Sequence, residues 1–198
     1  MAKFVIDLAP LRKSRDFSLL WAAGLISYFG SMITYVAVPF QIKELTGSYV
    51  AVAISGLVEI VPLVLFGLYG GVLADALDRK KLIWVTELLS LLFTAILLIN
   101  SMMDSPNLLL IYIVSGLFAA TSGLRQPAMQ AALPRLVDHE DMTAAAALMS
   151  LRWQVGVIVG PAVGGILISS YSVAVGYAAD IATFIISIAL IAFMKNIP

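Results

Sequence analysis

VAVAISGLVEIVPLVLFGLYGGVL, residues 50–73, runs for 24 residues with one charge, Glu59. About 20 apolar residues is the length an α-helix needs to cross a hydrocarbon core about 30 Å thick. Five further runs repeat the message: Leu19–Phe40, Leu82–Met102, Leu108–Leu124, Ala144–Ser169 and Ala174–Phe193. The fourth span (Leu108–Leu124) is short, with room to extend past Arg125, and the fifth (Ala144–Ser169) is long enough to begin in the interface. Barrel strands would alternate apolar and polar residues, whereas continuous runs satisfy their backbone as helices. The expected fold class is therefore an all-α integral membrane bundle of six transmembrane helices.

Composition agrees. The 198 residues are 61% hydrophobic and 12% charged, against about 25% charged in soluble domains, and mean hydropathy is +1.00. The main partner of this surface is the lipid bilayer. A net charge of zero gives no sign of a nucleic-acid partner. Cysteine is absent, which excludes disulfides, thiol catalysis and Cys-based metal sites. His139 is the single histidine, so no His-cluster metal centre is expected. The first span exceeds a signal-peptide core of about 7–15 residues, and no secretory processing is expected.

Orientation follows from the basic residues. Six spans place both termini on one side, together with the loops after the second and fourth spans. That side collects Lys3, Arg12, Lys13, Arg15, Arg79, Lys80, Lys81, Arg125, Arg135 and Lys195, against Lys43 alone on the other. Both termini are therefore expected in the cytoplasm. Residues 1–16 form a cytoplasmic segment in which Phe4, Val5, Ile6, Leu8 and Leu11 read as an interfacial helix. Residues 17–195 are the bundle, and residues 196–198 begin a linker. The inner loop Arg125–Met142 carries Asp138-His139-Glu140-Asp141, whose acids suit a helix N-terminus; His139 is read as solvated. The two triplets of spans have opposite topology, as in inverted-repeat transporters. No residue-level repeat between them is evident by inspection.

Two motifs add chemistry. Gly71-Val-Leu-Ala-Asp75-Ala-Leu-Asp78-Arg79-Lys80-Lys81 follows the second span, with Gly70 and Gly71 permitting close helix approach. In the fifth span, 85 positions on, stands Gly156-x-x-x-Gly160-Pro161-x-x-Gly164-Gly165. Glycines four apart make a flat groove, and the proline removes a backbone bond and bends the helix. The competing readings are a plain positive-inside loop and an ordinary tightly packed helix.

The first motif resembles the signature loop of the major facilitator superfamily, G-x-x-x-D-R-x-G-R-K, at Gly71, Asp75, Arg79 and Lys80; Ala76 and Asp78 depart from it. The second resembles that superfamily's antiporter motif. Ala37–Gln41, Gly70–Lys81 and Leu151–Gly156 resemble its enterobactin (siderophore) exporter group, whose neighbours export drugs. The resemblance implies the N-terminal six-helix half of a twelve-helix transporter with a 3+3 inverted repeat. It implies a multi-pass protein of the inner (plasma) membrane, and a latch role for the loop after the second span. It departs in the fourth span, where Ser115-Gly116 replaces a Q-G pair and Tyr112 stands at the usual proton-relay arginine. It also implies that the helix-five groove and the loop face a second half. The chain is thus expected to be a fragment or split-gene product, or to dimerise through Gly160 and Gly164.

Charges inside spans require a reason, since each costs about 2.5–3.5 kcal/mol or more at the bilayer centre. Glu59 lies roughly 15 Å deep from the outer side, and Arg152 roughly 12 Å from the inner side. Glu59, Arg152 and Asp180 are the candidate proton or substrate site. Asp180 and Glu87 also read as structural or interfacial groups, and hydrogen-bonded or ion-paired packing is the competing reading for Glu59 and Arg152. Tyr28, Tyr35 and Gln41 would line a cavity by resemblance.

The reading these features support is a secondary exporter of small molecules. It would be driven by protons, because no G-x-x-x-x-G-K-[ST] loop is present for ATP, and no cofactor is expected. A non-transporting assembly partner is the alternative. An enzyme is not expected, because no converging nucleophile, base or metal ligands occur. Glu59 and Arg152 lining a cavity would favour transport; the same residues buried in paired contacts would favour a scaffold.

Overall fold

The computed structural model describes residues 7–195, the side chains of Ala74 and Asp75 excepted. The N-terminal Phe4, Val5 and Ile6, the expected linker 196–198 and the side chain of Asp75 therefore lie outside the described residues. A short helix, α1 (Ala9–Lys13), is followed by six long ones: α2 (Arg15–Thr46), α3 (Tyr49–Ala76), α4 (Arg79–Ser101), α5 (Leu108–Leu136), α6 (Met142–Ser170) and α7 (Val173–Ala192). Each of the six is long and apolar enough to cross a membrane. The described residues contain no strand.

Local chemistry sets the ends. Ser14, Ser48, Asp78, Asn107 and Ser172 each accept a backbone N–H in the first turn of the following helix, which satisfies one of the orphan donors there. Gly47, at φ 66°, closes α2 in the left-handed region that glycine enters without a Cβ penalty. The helices outrun the apolar runs. α5 continues twelve residues past Leu124, through Pro127 and Pro134, to Leu136. The expected inner loop is thus mostly helix, and only 137–141 connects α5 to α6. Hydropathy marks where a helix meets lipid, not where its hydrogen bonds stop.

Apart from α4 and α5, consecutive long helices scarcely touch. α3 packs chiefly on α5, α6 on α2, α4 on α5, α7 on α2, and α4 meets α7. That pattern maps onto itself when α2–α4 are exchanged for α5–α7, as an inverted repeat requires. A residue-level repeat, unseen by inspection, then emerges at a constant offset of 93. α2 and α5 begin 93 apart, as do α3 and α6. The caps Ser14 and Asn107 correspond, as do Gly30 and Gly123, Gly67 and Gly160, and Gly71 and Gly164. Glu87-x-x-Ser90-x-x-x-Thr94 matches Asp180-x-x-Thr183-x-x-x-Ser187.

Lipid tails are as apolar as leucine, so helix association rests on close packing and polar contacts rather than on hydrophobic burial. Glycines supply the closeness. A Cβ on Gly123 would lie 2.6 Å from Leu63 O and 2.9 Å from Gly67 N, so α5 and α3 touch backbone to backbone. On α6, a Cβ at Gly160 would meet Met32 Cβ at 2.4 Å and Phe29 O at 2.9 Å, and one at Gly164 would meet Ile33 Cα at 3.1 Å. The glycine groove therefore faces α2 inside this bundle. The expectation that it faces a second half, and the homodimer route through Gly160 and Gly164, are both corrected by this packing. Gly165 alone of the motif has nothing within 4 Å of a built Cβ.

Candidate functional site

A hollow of about 430 Å³ opens among α2, α3, α5 and α6, lined by Tyr28, Tyr35, Glu59, Arg125, Gln126 and Trp153. A second, of about 450 Å³, adjoins it and shares Gln126 and Trp153. Arg152 lines the second hollow, with Gln130 and Met149. Together they make one largely apolar trough, with a few polar and charged groups in its wall, between the α3–α5 pair and α6. Glu59 and Arg152, 93 positions apart, are repeat equivalents of opposite charge. Each stands ten residues past the first residue of its helix, roughly 15 Å by helical rise.

Glycines shape the wall. A Cβ on Gly156 would sit 2.3 Å from Tyr28 Cδ1, and one on Gly24 would sit 2.2 Å from Arg152 Nη1. Both side chains therefore lie flat against the facing helix only because those positions are bare. Glu59 is half-buried and has no hydrogen-bond or ion-pair partner among the described residues. Arg152 is 6% exposed; its Nη1 reaches only the Met129 sulfur, at 3.6 Å, and its Nε has no partner among the described residues.

Behind the trough lies an ion pair that sequence reasoning missed. Arg125 Nη1 donates to Glu87 Oε1 at 2.9 Å, and Ser27 Oγ donates to the same oxygen at 2.9 Å. Arg125 had counted as a cytoplasmic loop charge; it is instead a buried residue of α5. The signal was the short fourth span, whose helix had to continue past it. Glu87 and Asp180 are 1% and 0% exposed, so neither is interfacial. Asp180 is enclosed by hydroxyls: Thr34 donates at 2.5 Å and Thr94 at 3.3 Å to Oδ2, and Thr183 at 3.2 Å to Oδ1. It does not reach the trough lining with Glu59 and Arg152. Gln41 is also withdrawn from the cavity, accepting the Tyr177 hydroxyl at 2.8 Å. Tyr112 donates to Ala51 O at 2.8 Å, tying α5 to α3.

At the end of the bundle that holds the start of α2 and the end of α7, Asp78 caps α4, which Arg79 opens. Lys80 Nζ donates to Met194 O, linking the first turn of α4 to the residues just after α7. Lys13 pairs with Asp141 at 2.8 Å, and that carboxylate holds the lysine above its ordinary pKa. Among the described residues no His, Cys, Asp and Glu group is arranged to hold a metal.

Six long apolar helices in two inverted triplets around a trough that holds Glu59 and Arg152 define a multi-pass membrane protein of the six-helix transporter-half class. Residues 5–197 match the major facilitator family described as transmembrane secretion effector, and the chain belongs to it. Among similar proteins are the enterobactin exporters EntS of Salmonella choleraesuis (strain SC-B67), 33% identical, Shigella boydii serotype 18 (strain CDC 3083-94 / BS512), 32%, and Escherichia coli O1:K1 / APEC, 31%. Each alignment covers 177 residues, 88% of this chain and 42% of the relative. The chain thus spans less than half the length of the curated relatives it matches.

Proposed function

We propose that this chain forms the N-terminal half of a secondary exporter in the inner membrane, with both termini cytoplasmic. One observation carries the reading. Glu59 and Arg152 line an open trough and are not consumed in an ion pair with each other or with a neighbour. Charges held in a bilayer at several kcal/mol of cost, without a structural partner, mark a pathway for solutes or protons. A scaffold would be expected to bury them in matched pairs, as Glu87 and Arg125 are buried.

Transport would follow rocking of two halves about a midplane site, with a second half or a second copy completing the trough. Gly71 and Asp75 at the end of α3, with Arg79 and Lys80 at the start of α4, would act as the latch; the loop expected there from the sequence shortens to Leu77 and Asp78 between the two helices. The glycines that seat α6 on α2 would let the two helices move as a unit. Protons would supply the energy, with Glu59 as the carrier. The relatives' name points to a siderophore as cargo.

The test is uptake of labelled enterobactin into everted membrane vesicles containing the chain, with and without a C-terminal half and a protonophore. Protonophore-sensitive accumulation supports the reading, and Glu59→Gln should abolish its dependence on the gradient. No accumulation with both halves present would leave the assembly-partner alternative.

A further inference from the structure

The inner end of the trough, away from Glu59, holds more buried positive charge than the carboxylate beside it neutralises. Two guanidiniums, Arg125 and Arg152, approach its inner end, and the carboxylate they share as a neighbour is Glu87. Glu87 is already committed, through Oε1, to Arg125 and Ser27. Arg152 is left with a methionine sulfur for one nitrogen and nothing for Nε, though more than nine-tenths of it is buried. A guanidinium sheds its proton too reluctantly to escape as a neutral group. A buried cation without a counter-ion is strongly destabilising.

Its surroundings are built to receive a ligand. Gln126, Gln130 and Gln154 offer amides around it, and Trp153 presents an aromatic face at the junction with the larger hollow. Gly24 gives the guanidinium a bare helix surface, since a Cβ there would lie 2.2 Å from Nη1.

We propose that Arg152 is an anion-binding subsite, taking a carboxylate or phosphate-type oxyanion while the ligand's body lies along Trp153 toward Glu59. The fork of donors on a guanidinium suits such a group in bidentate geometry. This deepens the exporter reading by naming a substrate class, organic anions, and in that sense rests on it. The same chemistry is offered by a lipid headgroup, so the experiment separates the two sources.

The purified chain in dodecyl maltoside is dialysed against labelled benzoate and, separately, labelled benzamide, its neutral counterpart. Benzoate should bind about tenfold more tightly or better, the scale of one charge-assisted hydrogen bond. Arg152→Gln should erase that preference and Arg152→Lys should keep part of it. Displacement of benzoate by added phosphatidylglycerol would assign the anion to lipid; failure to displace it would assign the subsite to soluble anions. Equal binding of benzoate and benzamide by the unaltered chain overturns the proposal without depending on any variant. So would an undiminished preference in a folded Arg152→Gln. Either result would leave the vesicle test of export standing.

Discussion

Gly123→Ala should destabilise the bundle more than its chemistry suggests, because the added methyl has nowhere to go. Built on the observed backbone, the Cβ lies 2.6 Å from Leu63 O, 2.9 Å from Gly67 N and 3.3 Å from Phe66 C. All three atoms are α3 backbone, so no side chain can rotate away. Restoring ordinary contact at about 3.5 Å or more requires α3 and α5 to part by roughly 1 Å. That separation loosens the most intimate helix pair in the structure. Overpacking of this kind costs about 1–3 kcal/mol, and alanine's better helix propensity returns less than about 1 kcal/mol. A net loss of about 1–2 kcal/mol is expected. Gly165→Ala supplies the control, since a Cβ there meets nothing within 4 Å, and it should be neutral or slightly stabilising. The assay is reversible unfolding of the purified chain by SDS in mixed micelles, read by far-ultraviolet circular dichroism. If the two variants unfold at the same SDS fraction, the backbone contact between α3 and α5 is not as described.

Removing one partner of the buried Arg125–Glu87 pair, as in Glu87→Gln, should cost about 3–5 kcal/mol in the same assay, while Glu87→Leu with Arg125→Met should recover much of it. Asp75→Asn should reduce export by the two-half assembly while membrane insertion, followed by carbonate extraction, stays unchanged. Reporter fusions after Lys81 and after Asp138 should read cytoplasmic and one after Asp104 external; reversal of all three would refute the orientation. The Lys13–Asp141 contact raises the lysine's pKa, so its contribution is complete below the ordinary lysine value and is lost as pH rises through the raised one. A spin label at Leu8 should therefore stay immobile at neutral pH and loosen only in strong alkali, and Lys13→Gln should loosen it at every pH.

Six spans were legible because lipid imposes a length and a hydropathy on each helix that few other structures share. Glu59 and Arg152 stood out for the same reason, since a charge within an apolar run costs energy and calls for a partner or a role; sequence alone did not tell them from Glu87 and Asp180, which have partners. Arg125 was not: it follows Leu124 at the end of an apolar run, where a loop and a continuing helix read alike, and Pro127 two residues on favours the loop. Its ion pair with Glu87 joins residues 38 positions apart, a distance across which hydropathy says nothing. The orientation of the glycine groove was hidden too, because spacing shows that a face is flat without showing which helix lies on it.

The inverted repeat shows why sign and partner matter more than identity. At an offset of 93, caps, glycines and acids recur, yet the two charges in the trough recur with opposite sign, Glu59 in α3 and Arg152 in α6. The networks behind them diverge in the same manner. Glu87 has an arginine partner, whereas its equivalent Asp180 has threonines. Thr94 donates to Asp180, but the mirrored atoms, Ser187 Oγ and Glu87 Oε2, are both buried without a partner among the described residues. The scaffold is thus symmetric in packing and asymmetric in charge. Under the proposed exporter and anion-subsite readings, the Glu59 end would take a proton or a cationic group and the Arg152 end an anion. Those readings predict that exchanging the two charges, Glu59→Arg with Arg152→Glu, will not restore what either single change removes.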